Sequence, residues 1–378
     1  MSWLPLRQVR GRCDGSDITR RRFITLDAMR GVAAISVMLF HYLLGTPYHI
    51  FGHAYYAVDF FFVLSGVVLT HAYGTRILNQ MSFLTYIKTR LIRLYPFYAL
   101  GTFFGIVLCG VYVIDSMIDA FGYKEYFLSI ICGGLFVPYL NDFAIPFTSH
   151  MTVSGLLFPL NPPAWSLFFE MLAGIALFPV IKRRINVKYI VGLSLIVLVS
   201  TLVYYRRVNL GWGMDTMFGG FARTAFAFFL GTWTYSRFTT LKNRWLVADP
   251  RAIIIITVIM FILPMPRVLA AVACAILIPL LIVAGLFADT ETERHGFFIW
   301  LGKISYGIYA IHFPIYRIII VVLSNAPLAR PILDAPLLLA CVVGILVIAL
   351  ANLLTIFIDE PLRRWLNSIA SKASSRSV

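Results

Sequence analysis

The sequence predicts an all-α, polytopic integral membrane protein: a helical bundle of about ten transmembrane spans plus one re-entrant segment. Three observations carry that prediction. Hydrophobic residues make up 60% of the 378 and charged residues only 13%, against about 25% charged in a soluble domain. Apolar stretches of near-bilayer length recur at 25–44, 55–73, 92–114, 125–141, 163–181, 187–205, 219–236, 251–265, 267–288, 298–323 and 335–357. The basic residues gather in the short connections between them, which is the positive-inside pattern. The net charge of +15 is therefore a signal of orientation and not of nucleic acid.

The elements follow in order. Residues 1–22 form a basic arm with Arg7, Arg10, Arg12, Arg20, Arg21 and Arg22, expected in the cytoplasm. No small-residue cleavage site follows the first apolar stretch, so that stretch is expected to stay as an anchor. Residues 23–366 form one membrane domain, and 367–378 a cytoplasmic tail, with Arg363, Arg364, Lys372 and Arg376 marking that end as inside. Two inside termini require an even number of crossings, yet there are eleven segments. Lys88 and Arg90 mark an inside loop after the second segment, and Lys182, Arg183, Arg184 and Lys188 another after 163–181. Of the three segments between them, 125–141 is the shortest and leads into the Pro-rich stretch 138–163. It is expected to be re-entrant or interfacial, buried in protein as such backbone must be. A weaker segment at 147–160 is the alternative, as a twelfth crossing. Further on, Arg237, Lys242, Arg244 and Arg251 fall inside and the turn at 264–266 outside. Arg206, Arg207 and Arg330 then fall outside, against the positive-inside rule.

The five cysteines, Cys13, Cys109, Cys132, Cys274 and Cys341, show no CxxC or metal-ligand spacing, so neither a disulfide framework nor a metal site is expected.

The first span, "LDAMRGVAAISVMLFHY" from Leu26 to Tyr42, carries Asp27, Arg30 and His41. Ionisable groups inside a membrane are costly and mark function by default. Arg30 and His41 are eleven residues apart, which is three helical turns plus about 20°, so both point to one face about 16 Å apart. Asp27 is close enough to pair with Arg30. Arg30 could equally snorkel to headgroups, and His41 could be an interfacial histidine. Asp59 on the second segment, Glu170 inside "PPAWSLFFEMLAGIALFP" with Trp165 near its start, and His312 in "LGKISYGIYAIHFPI" could share the same interior. Arg90 and Arg93 lie three apart on one helical face and with Lys88 form a cluster able to bind phosphates. Positive-inside flanking would place the same residues there.

Together these stretches resemble the acyltransferase 3 family of bacterial multi-pass membrane acyltransferases. The opening segment with an Arg and a His eleven positions on is one signature. The others are "AVDFFFVLSGVVLT", the Arg-x-x-Arg of "RLIRLYP", the Trp-Ser-Leu segment ending in Glu170, "SYGIYAIH", and the acidic-Pro motif of "IDEPLRRW". They run in order from about residue 23 to 366. Ala28 stands where relatives often have Gly, and Met171 where many have a second Glu.

The resemblance implies transfer of an acyl group, usually acetyl, from cytoplasmic acyl-CoA to a hydroxyl of a cell-surface glycan or glycolipid. It implies a multi-pass protein of the inner (plasma) membrane, with acyl-CoA as co-substrate, no metal, and a lipid-linked or polymeric glycan as acceptor. Arg30 would line the route of the thioester, whose phosphates would sit near Arg90, Arg93 and Lys88. His41 would act as general base or would itself take the acyl group. Glu170 or Asp59 would orient His41. Trp165 and His312 would shape the acceptor side. By position alone, the outward pair Arg206 and Arg207, which the positive-inside rule does not explain, could bind a glycan carboxylate or lipid-linked pyrophosphate of the acceptor, or equally anionic headgroups. The competing expectation is a glycan or lipid-linked sugar carrier that does no chemistry, since midplane charges and broken helices suit transporters too.

Overall fold

The structure, a computed structural model, describes residues 23–48, 50–114, 121–148, 151–238, 249–263, 272–288, 296–326 and 330–375, with the isolated positions 266 and 269. The basic arm 1–22, Lys242, Arg244, residues 264 and 265 of the expected outer turn, and Arg376 lie outside them.

Besides a single turn at Arg330–Leu333, the described α-helices are α1 (Ile24–Leu43), α2 (Ala57–Leu78), α3 (Phe83–Ile114), α4 (Tyr123–Gly134), α5 (Ala164–Lys182), α6 (Val187–Tyr205), α7 (Met217–Phe238), α8 (Pro250–Ile262), α9 (Ile278–Ala288), α10 (Gly296–Ser324), α11 (Pro336–Leu354) and α12 (Glu360–Ser375). Among the described residues, seven helical stretches are long and apolar enough to cross a membrane: α1, α2, α3, α5, α6, α10, and α11 with its continuation. The chain is thus a polytopic membrane protein. The expected segments 251–265 and 267–288 appear as shorter apolar helices. α7 is 22 residues long but is too polar to join the seven, with Arg223 buried in its first third.

Contact registers give the relative directions. α2 and α7 run parallel, because Asp59 meets Arg223, Val63 meets Gly231 and His71 meets Tyr235. α1 and α10 run parallel, because Arg30 meets Gly302 and Ser305 while His41 meets His312. α3 and α5 run antiparallel: the Tyr86 hydroxyl donates to the Gly174 carbonyl, Arg90 meets Glu170, and Gly105 abuts Leu160 just before α5. The chain therefore makes no net crossing between α3 and α5. α4, which lies between them, has only 12 residues, about 18 Å of helix, short of the ~30 Å hydrocarbon core. Its last carbonyls are capped by α3: Tyr98 donates to Gly133 O at 2.6 Å and Tyr95 to Gly134 O at 2.7 Å. With these partners the last carbonyls of α4 are satisfied within the protein.

Two sequence expectations are corrected here. The described residues of 147–160 form no twelfth helix. β1 (Ala144–Thr148) and β2 (Met151–Ser154) form an antiparallel hairpin, with Ile145 opposite Val153. Its backbone groups pair with each other, so the segment needs no helix to satisfy them. The stretch "YIKTRLIRLYP" is not a loop before a span but the first turns of the 32-residue α3. The helix continues through Arg90 and Arg93 because both side chains find a polar interior.

Close helix packing rests on small residues. A Cβ on Gly302 would lie 2.5 Å from Asp27 Cβ, and one on Gly31 would lie 2.2 Å from Leu301 Cγ. These contacts bring α1 and α10 near enough for side chains to bond across. Pro314 inside α10 has no N–H for the carbonyl four residues before it. That carbonyl, Ala310 O, instead accepts from Asn161 Nδ2 at 2.9 Å.

These directions and the positive-inside rule lead to an expected topology. A reporter fused at residue 378 reads cytoplasmic, and one inserted near residue 145 reads outside. A cytoplasmic signal at 145 would mean that α4 crosses.

Candidate active site

Two cavities open inside the bundle. The basic cavity, about 230 Å³, lies at the Arg30 end of α1. The histidine cavity, about 220 Å³, lies at the His41 end. α1 serves both because Arg30 and His41 share one helix face, and that face packs on α10.

In the basic cavity, Arg30 Nε donates to Ser305 Oγ at 2.9 Å and Nη2 to Gly302 O at 2.7 Å, and Asp27 pairs with it at 3.0 Å. Arg90 is buried on α3, and its Nη2 meets Glu170 Oε1 at 3.2 Å. Ser65 Oγ donates to the same carboxylate oxygen at 2.7 Å. Lys303 pairs with Glu360 at 3.4 Å, and Arg363 with Asp359. Arg93 also lines this cavity, and among the described residues it has no carboxylate within ion-pair distance. A cavity holding one uncompensated guanidinium and several that are only partly neutralised is suited to polyanionic phosphate.

The histidine cavity is lined by aromatic side chains, with Phe40, Tyr55, Phe147, Trp165 and Trp212 around His41. The hydrogen bonds of two imidazoles fix their tautomers. His312 Nδ1 lies 2.8 Å from Tyr309 O and 3.1 Å from Ile308 O. Carbonyls only accept, so Nδ1 carries the proton and Nε2 is an acceptor. His41 Nδ1 lies 3.0 Å from Val37 O and 3.1 Å from His312 Nε2. It therefore donates, which leaves His41 Nε2 with the lone pair. An imidazole held this way can take a proton at Nε2 from a hydroxyl in the cavity.

The structure redistributes several residues expected to act together. His312 does not line the histidine cavity; it is fully buried behind His41 and holds its ring. Neither Glu170 nor Asp59 orients His41. Glu170 sits in the basic cavity on Arg90, and Asp59 is taken by Arg223, with Nε to Oδ1 at 2.6 Å and Nη2 to Oδ2 at 2.7 Å. The physical reason is pairing: a buried carboxylate is stabilised most by the guanidinium that reaches it with a planar fork. Lys88 is exposed and is not in the basic cavity, since two residues along a helix turn it about 200° from Arg90. Trp165 does line the histidine cavity. Arg206 ends α6 in a left-handed conformation (φ 52°), and Arg207 meets Asp215 at 3.4 Å with both side chains half exposed. Neither arginine reaches the histidine cavity. Asp215 does border a cleft that shares Trp212 and Val153 with it.

Sequence reading missed three residues here. Arg223 also donates to Leu210 O and Tyr55 O, and its guanidinium lies 5.8 Å from the Trp165 ring, so it braces the wall of the histidine cavity. A lone Arg within an apolar stretch was the available signal. Ser166 and Tyr309 bond each other at 2.5 Å. They lie in two separate motifs, and only folding brings them together.

Residues 23–355 match the acyltransferase 3 family model, described as an acyltransferase domain. The chain is also similar to Protein 2 in picA locus from Rhizobium radiobacter, at 38% identity over 163 residues, 40% of this chain and 78% of that protein. No solved structure matches.

Proposed function

This chain belongs to the acyltransferase 3 family, and from that membership we propose that it moves an acyl group, acetyl in the first instance, from cytoplasmic acyl-CoA to a hydroxyl of a glycan or glycolipid across the inner membrane. The domain crosses about ten times with both termini in the cytoplasm, as the positive-inside pattern asks. The basic cavity takes the phosphates of acyl-CoA. The acceptor enters the histidine cavity through the cleft bordered by Trp212 and Asp215. His41 Nε2 removes the proton of the acceptor hydroxyl as that oxygen attacks the thioester carbonyl. His312 keeps the His41 proton on Nδ1 and stabilises the ring once it is charged.

The observation that carries this reading is the placement of His41. Its Nδ1 is committed to His312, and its ring lines a cavity that abuts one lined by five cationic side chains. Separate cavities let donor and acceptor bind together, which favours direct transfer over an acyl-His41 intermediate. A carrier would need neither the fixed tautomer nor a phosphate site. The test is consumption of acetyl-CoA by the purified protein, with mass spectrometry of surface glycans from cells with and without the gene. A protein that leaves acetyl-CoA intact while glycans still cross the membrane would support the carrier.

Arg93→Ala is expected to weaken acyl-CoA binding more than Arg90→Ala does. A lost charged hydrogen bond to phosphate is worth about 1.5–3 kcal/mol. Arg90 already spends part of its charge on Glu170, whereas Arg93 has no such partner among the described residues. Titration calorimetry with acetyl-CoA reads the difference. Unchanged affinity in both variants would return the two arginines to a purely topological role.

A further inference from the structure

We propose that Tyr309 is a catalytic hydrogen-bond donor. On this assignment its hydroxyl holds the thioester carbonyl oxygen at the partition between the two cavities and then holds the oxyanion formed there. The proposal rests on the acyl-CoA reading above.

Among the described residues, Tyr309 is the one side chain that lines both the basic cavity and the histidine cavity. A thioester delivered from one and attacked from the other has to pass it. The ring stands in the partition, packed edge-on to Phe61 at 5.3 Å and 5.9 Å from the His312 ring. Its hydroxyl reaches α5. It lies 2.5 Å from Ser166 Oγ and 3.3 Å from Pro163 O. Either hydroxyl can donate in the short bond, and each also reaches Pro163 O, Ser166 Oγ at 3.1 Å and Tyr309 at 3.3 Å, so the phenol proton rests on one of these two oxygens.

The resting acceptor of that phenol proton is thus a neutral oxygen, of Ser166 or of the Pro163 carbonyl. A carbonyl oxygen that becomes an oxyanion is a far stronger acceptor. The exchange therefore strengthens the bond as charge develops, which is the condition for lowering the barrier rather than merely binding. Two of the neighbouring cations are already engaged. Arg90 is held by Glu170, and Arg223 by Asp59 and two carbonyls.

The step balances as follows. The acceptor hydroxyl oxygen bonds the thioester carbon, and its proton passes to His41 Nε2. The carbonyl π pair moves to oxygen, where Tyr309 donates its hydrogen bond. Collapse breaks the carbon–sulfur bond. The His41 proton passes to the leaving thiolate, giving the ester and free CoA thiol.

The experiment measures acetyl transfer by the purified full chain, with acetyl-CoA as donor and isolated surface glycan as acceptor. It compares parent, Tyr309→Phe, Ser166→Ala and His41→Ala. Tyr309→Phe keeps the ring and removes the donor. It is expected to lower kcat about 10²–10³-fold, as loss of one oxyanion donor does, with KM for acetyl-CoA changed less than about twofold. Ser166→Ala breaks the same resting hydrogen bond but leaves the donor, so its kcat is expected to stay within about fivefold of the parent, inside the cost of one ordinary hydrogen bond. Equal losses in Tyr309→Phe and Ser166→Ala would overturn the proposal, because the bond would then merely brace the partition. So would a Tyr309→Phe enzyme with near-parental kcat, provided the parent transfers and His41→Ala does not. Absence of transfer by the parent would overturn the underlying reading and this proposal with it.

Discussion

Replacing His41 with alanine is expected to abolish acyl transfer while the protein still inserts and folds. Loss of a positioned general base removes about 10²–10⁴ in rate. The fold is expected to survive, because the His41 side chain lines a cavity and its hydrogen bonds run to Val37 O and His312, not to a distant element that it alone ties down. His312→Gln separates the two imidazoles. The amide cannot take the charge that a histidine pair shares, and it fixes the His41 tautomer less firmly. Its kcat is expected to fall by about 10–100-fold, with KM for acyl-CoA unchanged because His312 touches neither cavity. Transfer and acetyl-CoA affinity measured on the same detergent-purified samples read both effects. Near-normal transfer by His41→Ala would remove the proposed mechanism.

Asp59→Ala is expected to be the most damaging single change to stability. The Asp59 and Arg223 side chains are 9% and 5% exposed, and they exchange two short charged hydrogen bonds. Removing the carboxylate leaves a guanidinium buried without a counter-charge, which costs about 3–5 kcal/mol. Arg223 would then pull on Leu210 O and Tyr55 O, next to the wall of the histidine cavity. The double variant Asp59→Leu with Arg223→Met is expected to recover part of the loss, since a buried pair replaced by apolar groups of similar volume is close to neutral. Recovery stays partial because two carbonyls lose their donor. Thermal unfolding in detergent reads all three proteins. An Asp59→Ala protein that melts with the parent but transfers nothing would move Asp59 from the scaffold into the chemistry.

The basic cavity has a consequence for how donor affinity is tuned. Glu170 accepts from both Ser65 and Arg90 on the same oxygen, so it holds the Arg90 guanidinium in place and partly neutralises it. In the proposed mechanism its role is to position a phosphate-binding arginine, and not to act on His41.

Much of this protein was legible in the sequence because the bilayer imposes one-dimensional rules. Twenty apolar residues in a row announce a span wherever they fall, and basic flanks report direction. The eleven-residue spacing of Arg30 and His41 also survived folding intact, since both lie on one unbroken helix whose geometry is local. The same helical geometry separates Lys88 from Arg90, because two residues along one helix point to nearly opposite faces. The helix parity problem pointed to the 125–141 segment for the same kind of reason: counting needs no tertiary contact.

The partners of the charges were a different matter. Which carboxylate meets which arginine depends on helix neighbours set by small residues such as Gly31 and Gly302, and by the register of α2 on α7 and of α3 on α5. Those pairings are non-local, and many arrangements of one set of spans would satisfy the same hydropathy. Only the packed bundle gave Asp59 to Arg223 and Glu170 to Arg90, set His312 behind His41, and closed the gap between two cavities with the hydroxyls of Tyr309 and Ser166. The sequence determined that a membrane bundle would carry a cation and a histidine along one inner face. The tertiary structure decided which buried group compensates each of them, because that choice is made by distance across helices and not by spacing along one.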